Sequence, residues 1–507
     1  MSYEFKISFV ETPKAICELM ISLISKGKDA LILDAGCGRG AFLEVLEAEG
    51  YKNVEGIELN KELAEYCRRR FKNYKIINED YLIFKPTTNY DVIIGNPPYA
   101  HFNSLPRFIR KRVTAITGSK ECDIYYAFIL KSISLLKKGG ELIFITPYGF
   151  TYNTYAFKVR KALSNSIQLF IDLDEIHLFQ GENPEPVIFK YIKGIKIRNM
   201  KVLRLKMRNI SIYDVKKFAL QTIKQKKSNK VFDYFEREPF AYSEKIWTSF
   251  PKIAFKKSLK LKRLAKVCVG FVSGFDKAFL LENENYFFSE KERKFIKPFI
   301  KAKNCRGYWT EGKVYYIVTD DINEEKELEE LPNIKIRLNK YRSLMKRRYL
   351  PFKKKWFQWQ ALRNREKIEQ NLLGPKIFVP TLDRSKTNRF SLSYEPVFPS
   401  GDVLVLLPKP GWEFFLLGYL NSYFFRQFYL SNGGKRGGRI AFTQRLLSEI
   451  EIPLFDRETR EKIAILAEKI YKEKNLKYRE EIENLIRKSI TINLIRHKTT
   501  LSDYLKD

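Results

Sequence analysis

Asp91-Val92-Ile93-Ile94-Gly95-Asn96-Pro97-Pro98-Tyr99 decides the reading of this chain. The first five residues form a short apolar run rich in β-branched side chains, the pattern of a buried parallel strand. The last four sit where that strand empties into a loop, which in an open α/β sheet is the edge that binds ligands. Two consecutive prolines hold the backbone extended and remove two N–H donors, so the Asn96 side-chain oxygen and the Pro97 carbonyl can both accept from one amino group. Tyr99 adds a flat face on which an aromatic ring can stack. The group that matches is an amine on a planar ring or amide, its lone pair held ready to attack an electrophile. Taken alone, the same four residues also read as a surface turn.

The stretches upstream sharpen the choice. Thr12-Pro13-Lys14 precedes an amphipathic run from Ala15 to Ile24, with Thr12 as the expected N-cap and Pro13 at the first helical position. Ala30-Leu31-Ile32-Leu33 reads as a buried strand and runs into Asp34-Ala35-Gly36-Cys37-Gly38-Arg39-Gly40, which opens a helix carrying Phe42, Leu43, Val45 and Leu46. Strand, glycine turn and helix N-terminus in that order let the backbone approach a nucleotide-like cofactor. The next strand, Val54 to Glu58, ends in the acid expected for ribose hydroxyls. A third, Lys75-Ile76-Ile77, leads to Asp80, whose carboxylate can accept from an adenine amino group. Singly, residues placed like Glu58 and Asp80 are more often solvated strand-end acids. In series after Asp34 they outline a cofactor cleft beside the Asn-Pro-Pro-Tyr loop.

Downstream the alternation continues with a helix from Asp123 to Lys137, the strand Glu141 to Thr146, a helix near Tyr155 to Leu163, and the strand Gln168 to Asp172. Pro186 to Tyr191 follows too soon for another βα unit, so the last two strands should pair as an antiparallel hairpin. The expected fold class is α/β, a Rossmann-like seven-stranded sheet of the methyltransferase type. The expected domains are a catalytic domain over 1–240, an α+β recognition domain over 250–455 and a helical extension over 456–507.

The 507 residues carry 93 Lys+Arg against 59 Asp+Glu, a formal charge of +34, which implies a polyanionic partner, nucleic acid before an anionic membrane surface. Residues 251–450 alone hold 40 basic and 20 acidic residues. Lys353-Lys354-Lys355-Trp356-Phe357-Gln358-Trp359 and Asn432-Gly433-Gly434-Lys435-Arg436-Gly437-Gly438-Arg439 interleave cations with aromatics and glycines, a pattern suited to phosphate contact. Lys354, Lys355, Trp356, Lys435, Arg436 and Arg439 are the candidate DNA contacts. Six scattered cysteines and three histidines suggest neither a zinc site nor a disulfide framework. No apolar run is long enough for a membrane span and no signal segment opens the chain, so a cytoplasmic protein is expected.

These motifs and their order resemble the S-adenosylmethionine-dependent amino-methyltransferases, and among them the TaqI-type adenine-N6 DNA methyltransferases. The resemblance covers most of the chain, with Gly270-Phe271-Val272-Ser273-Gly274 and Leu417-Gly418-Tyr419-Leu420-Asn421-Ser422 as landmarks of a TaqI-like specificity domain. It implies S-adenosylmethionine as cofactor, with Thr12, Asp34, Gly36 and Gly38 on its methionine part, Glu58 on its ribose, and Asp80 and Phe128 on its adenine. It implies double-stranded DNA as substrate, with Asn96 and Pro97 holding the amino group of a flipped adenine stacked between Tyr99 and Phe179. Cytosine-N4 enzymes of this kind usually show Ser in the Asn96 position. None of the six cysteines follows a proline, which disfavours a covalent cytosine-C5 mechanism. The resemblance points to the modification component of a restriction-modification system, allows a separately encoded endonuclease as companion, and is compatible with a monomer. Two alternatives remain at this stage. One is an RNA or protein-glutamine methyltransferase with the same loop, and the other is a non-catalytic DNA specificity subunit.

Overall fold

The computed structural model describes residues 11–490 and 492–494, apart from 174–175, 177, 179–184, 208, 244–246, 251–252, 282–287, 352, 386 and 437–438. The chain divides into two compact units between Pro251 and Lys252.

In the first unit the described strands form one sheet: β1 (Ile32–Ala35), β2 (Val54–Glu58), β3 (Lys75–Asn78), β4 (Tyr90–Gly95), β5 (Leu136–Pro147), β6 (Ile167–Asp172), β7 (Pro186–Ile192), β8 (Met200–Leu205) and β9 (Phe232–Arg237). Their spatial order is β3-β2-β1-β4-β5-β7-β6-β8-β9. The pairs from β3 across to β5 are parallel. β7 enters between β5 and β6, antiparallel to both, which is the hairpin expected of the last two strands. The seven strands read from the sequence are all present, and two more extend the sheet, β8 parallel to β6 and β9 antiparallel to β8. On β8 the half-buried Lys201 and Arg204 interrupt the buried Met200, Val202, Leu203 and Leu205, so an ordered strand carries the composition of a charged connection.

Helices cover both faces. α1 (Lys14–Ser22), α2 (Ala41–Ala48), α3 (Lys61–Arg70) and α7 (Ile212–Gln225) share one core with Val92, Ile94, Ile143 and Ile145. α4 (Arg107–Thr117), α5 (Ile124–Leu135) and α6 (Phe157–Leu163) share the other with Ile93, Leu142 and Phe144. The alternation of neighbouring strand residues between the two cores is the pleat of a sheet buried on both sides. α5 stops at Leu135 rather than Lys137, because Leu136 already pairs with Tyr90 at the start of β5.

The second unit is α+β. A five-stranded sheet orders Ala265–Val269, Val403–Pro408, Lys376–Pro380, Ser391–Ser393 and Tyr308–Trp309. A second sheet contains Ile296–Ile300 and Val314–Ile317, and between them lies an aromatic core in which Phe299 stacks on Trp359 at 5.3 Å. The segment after residue 456 forms helices Arg457–Glu473 and Arg479–Ser489, which pack within this unit. Ile463, Leu466, Ala467 and Ile470 of the first are buried. Gly418 in helix Glu413–Leu420 makes that contact feasible, because a Cβ there would lie 2.9 Å from Ile463 Cγ2.

Candidate active site

β1, β2, β3 and β4 are parallel and end at one edge, where Asp34, Gly36, Gly38, Glu58, Asp80 and Asn96 lie on or just beyond the strand ends. Gly36, Gly38 and Gly40 have φ values of +86°, +54° and +87°, so the turn between β1 and α2 takes a course that L side chains rarely adopt. Gly40 also meets a packing limit, since a Cβ there would lie 2.4 Å from the Phe71 ring. Gly40→Ala is expected to destabilise the first unit by about 1–3 kcal/mol, measurable as a lowered denaturant midpoint.

Asp34, next to last in β1, is fully buried, and neither of its carboxylate oxygens finds a hydrogen-bond partner among the described residues. Burial, followed by the fields of Cys67 and Glu58, pushes its carboxyl well above the usual carboxylate range. A buried carboxylate without a donor calls for a cation to sit against it. Glu58 ends β2 and accepts from the Gly38 and Asn60 backbone N–H groups at 2.9 and 2.8 Å, which ties the glycine loop to the neighbouring strand end. Asp80, 8% exposed, accepts from the Leu82 N–H at 2.8 Å and is ion-paired with Arg112 of α4. Phe128 on α5 stacks on Tyr81 at 4.8 Å, and a Cβ on Gly36 would lie 3.8 Å from its ring edge. Glycine loop, acid and aromatic ring therefore line one space.

Thr12 does not cap α1. Pro13 occupies the N-cap position without a side-chain bond, which leaves the buried Thr12 hydroxyl to accept from Asn96 Nδ2 at 3.0 Å. On its other side Asn96 Oδ1 accepts from the Tyr99 hydroxyl, which also lies 3.2 Å from the Ile145 carbonyl. The amide is thus oriented with its nitrogen toward Thr12 and its oxygen toward Tyr99. The Tyr99 ring is braced edge-on by Tyr125 at 6.2 Å, and the loop beyond it by His101 Nδ1 against Asp123 Oδ1 at 2.7 Å. Among the described residues no hydrogen bond is made to the Pro97 carbonyl. Phe179 lies outside the described residues.

Sequence reasoning missed Arg112, Tyr125 and the Asn96–Thr12 bond. No local signal marks Arg112 or the bond, whereas Tyr125 stands three residues before Phe128 in the same helix and was open to a reading as a second aromatic of the site.

The Eco57I restriction-modification methylase family matches residues 28–179, which span β1 to β6 and hold Asp34 through Asn96. Over 515 residues the chain is 32% identical to the type II methyltransferase M.HindII of Haemophilus influenzae, covering 95% of this chain and 93% of that protein. The chain belongs to the type II restriction-modification methyltransferases. It is also 47% identical over 277 residues to M.MjaIV of Methanocaldococcus jannaschii, covering 52% of this chain and 92% of that one. In fold it is similar to the type IIL restriction-modification enzyme MmeI, solved in complex with DNA, with a TM-score of 0.63 at 12% identity over 97% of this chain and 73% of that one. The methyltransferase is a DNA-modifying enzyme that uses S-adenosylmethionine. The donor set fits that cofactor: an orphaned buried carboxylate for a cation, an acid at the second strand end, and an aromatic wall.

The methyltransferase's candidate DNA contacts in the second unit divide. Lys354 is ion-paired with Asp320, Lys355 with Glu324 at 3.2 Å, and Trp356 is 9% exposed with Arg342 over its ring at 4.9 Å. All three are engaged within their own unit. Lys435 and Arg436 form a short strand paired with Arg439–Ala441, and Arg439 is half-buried. Among the described residues no group of His, Cys, Asp or Glu is arranged to hold a metal ion, and no helix is long and apolar enough to cross a membrane.

Proposed function

We propose that this type II DNA methyltransferase modifies N6 of an adenine extruded from duplex DNA in the cytoplasm. The observation that carries the proposal is the fixed orientation of Asn96, with Nδ2 on Thr12 and Oδ1 turned to accept. Adenine N6 is a poor nucleophile because its lone pair is spread into the ring, and the base is stacked in the duplex until a few kcal/mol of unstacking is supplied. Asn96 Oδ1 and the Pro97 carbonyl accept the two amino hydrogens, localise the lone pair on nitrogen and stabilise the positive charge that develops there. The Tyr99 hydroxyl has a second acceptor in the Ile145 carbonyl. Tyr99 stacks on the base, and Phe179 is proposed for the opposite face. No general base is required before attack, because the proton leaves from a cationic nitrogen.

S-adenosylmethionine supplies an electrophilic methyl group on a sulfonium sulfur. Asp34, Gly36, Gly38 and Thr12 hold its methionine part, Glu58 its ribose, and Asp80 with Phe128 its adenine. The test is transfer of labelled methyl to unmethylated genomic DNA followed by nucleoside analysis. N6-methyl-deoxyadenosine supports the reading, and N4-methyl-deoxycytidine or label confined to RNA or protein overturns it.

Thr12→Val removes the acceptor for Asn96 Nδ2 at equal volume. It is expected to lower kcat about tenfold, the worth of one hydrogen bond of roughly 1–1.5 kcal/mol, with a smaller change in cofactor Kd and recovery in Thr12→Ser. A change confined to cofactor Kd would assign Thr12 to cofactor binding alone.

A further inference from the structure

Helix α4 differs from helix Arg457–Glu473 in how its cations are matched. On helix Arg457–Glu473 basic residues are paired with acids one turn away, Arg457 with Glu461, Lys462 with Glu458 and Lys472 with Glu468. α4 places Arg107, Arg110, Lys111 and Arg112 in its first two turns and contains no acidic residue. Arg107 and Arg110 stand one turn apart at the positive end of the helix dipole, so both the dipole and their mutual repulsion oppose the arrangement. Only Arg112 is neutralised among the described residues, by Asp80. Arg107 and Lys111 are exposed. Arg110 is half-buried over the Phe102 ring at 6.0 Å, and its Nε is buried with no acceptor. Phe108, between them, is 53% exposed.

The opposite face of α4 is fixed. Ile109, Val113 and Thr117 are buried, and Leu105, Ile109 and Val113 belong to the same core that Tyr99 and Phe102 pack against. The chain runs from Tyr99 into this helix and both pack on the same core, so the helix is tied to the Asn96–Tyr99 loop. Unmatched cations on a rigid face, one with an orphaned buried donor, next to the loop that takes the base, fit an extended anion that lies alongside that base.

We propose that α4 grips the sugar–phosphate backbone of duplex DNA beside the base pocket, with Arg107, Arg110 and Lys111 on phosphates and Phe108 against a sugar. The proposal rests on the DNA reading of the active site. Phosphate contacts of this kind carry no sequence information and set the register in which a base meets the loop.

The test is DNA binding by fluorescence anisotropy across a salt series, with wild type and the variant Arg107→Ala/Arg110→Ala/Lys111→Ala. Each phosphate contact contributes about 0.9 to the slope of log affinity against log salt, so the variant's slope should fall by between about 2 and 3. Affinity at low salt should drop at least about tenfold, equally for duplexes of different sequence. Cofactor affinity in calorimetry should be unchanged. A second variant, Arg107→Glu/Lys111→Glu, touches only exposed positions and should weaken binding further, which keeps the test decisive if the triple variant folds poorly. An unchanged salt slope in both variants would overturn the proposal. Wild-type protein that methylates RNA or protein and leaves DNA unbound would overturn the substrate reading instead, and this inference with it.

Discussion

Asn96→Ala is expected to lower kcat by about 10³-fold while cofactor affinity stays within about twofold of wild type. The Asn96 oxygen is the side-chain acceptor at the end of β4, and removing one preorganised group from a site of developing charge costs about 10²–10³ in rate. The upper end applies here because two further groups lose their partner. Thr12 loses the donor that Asn96 Nδ2 provides at 3.0 Å, and the Tyr99 hydroxyl loses its Asn96 acceptor, so the stacking ring is less firmly held. Of the proposed cofactor contacts only Thr12 is bonded to the Asn96 side chain; those at the β1, β2 and β3 ends and Phe128 on α5 are held by other partners. Single-turnover methyl transfer together with calorimetric titration of cofactor separates the two effects. Equal loss of binding and rate would make Asn96 a structural residue.

Asp34→Asn is expected to stabilise the free protein and to weaken cofactor binding about 10²-fold. The carboxylate is buried without a donor, and such a group destabilises the native state until a cation reaches it. Removing one member of a buried charge pair costs about 3 kcal/mol or more, which converts to the expected loss of affinity. The neutral amide of the same shape avoids the desolvation cost in the free protein, so its Tm should rise by a few degrees, roughly 2–4 °C per kcal/mol. The pH dependence follows from the raised carboxyl pKa, caused first by burial and then by Cys67 and Glu58. Because the folded value lies above the unfolded value of about 3.9, the native state holds the proton over a wider range. Asp34 therefore contributes stability that is full below the unfolded value and is lost as pH rises through the folded value. Cofactor binding favours the ionised form, so the Tm increment on adding S-adenosylmethionine should grow with pH across that window and be flat in Asp34→Asn. A Tm increment with the same pH profile in both proteins would remove Asp34 from the cofactor site.

Much of the first unit was legible because its signals are local. Each of Asp34, Glu58, Asp80 and Asn96 stands where an apolar run ends, and successive strand ends on one edge follow from the parallel order without knowledge of contacts. The links between those ends were not legible. Thr12 and Asn96 meet across 84 residues of chain, and Arg112 reaches Asp80 across 32. Neither spacing leaves a periodic trace. Composition was silent in a different way at Lys354 and Lys355, whose acidic partners it does not show. A run of cations is the same string whether it faces solvent or meets Asp320 and Glu324 arriving from more than thirty residues away. β8 was hidden because a strand near the sheet margin tolerates Lys201 and Arg204 half-buried among its apolar residues. Phe128 enters the cofactor proposal only through resemblance, since a core phenylalanine in a buried helix has the same pattern.

The contact of Gly418 with Ile463 has a practical consequence for moving the second unit between related enzymes. A graft that ended near residue 455 would cut away Ile463, Leu466 and Ile470 and strip the apolar face of helix Glu413–Leu420. The exposed face would favour aggregation. A transferable cassette begins near Pro251 and carries the chain through Ser489, with the small residue at 418 and its partner at 463 exchanged together.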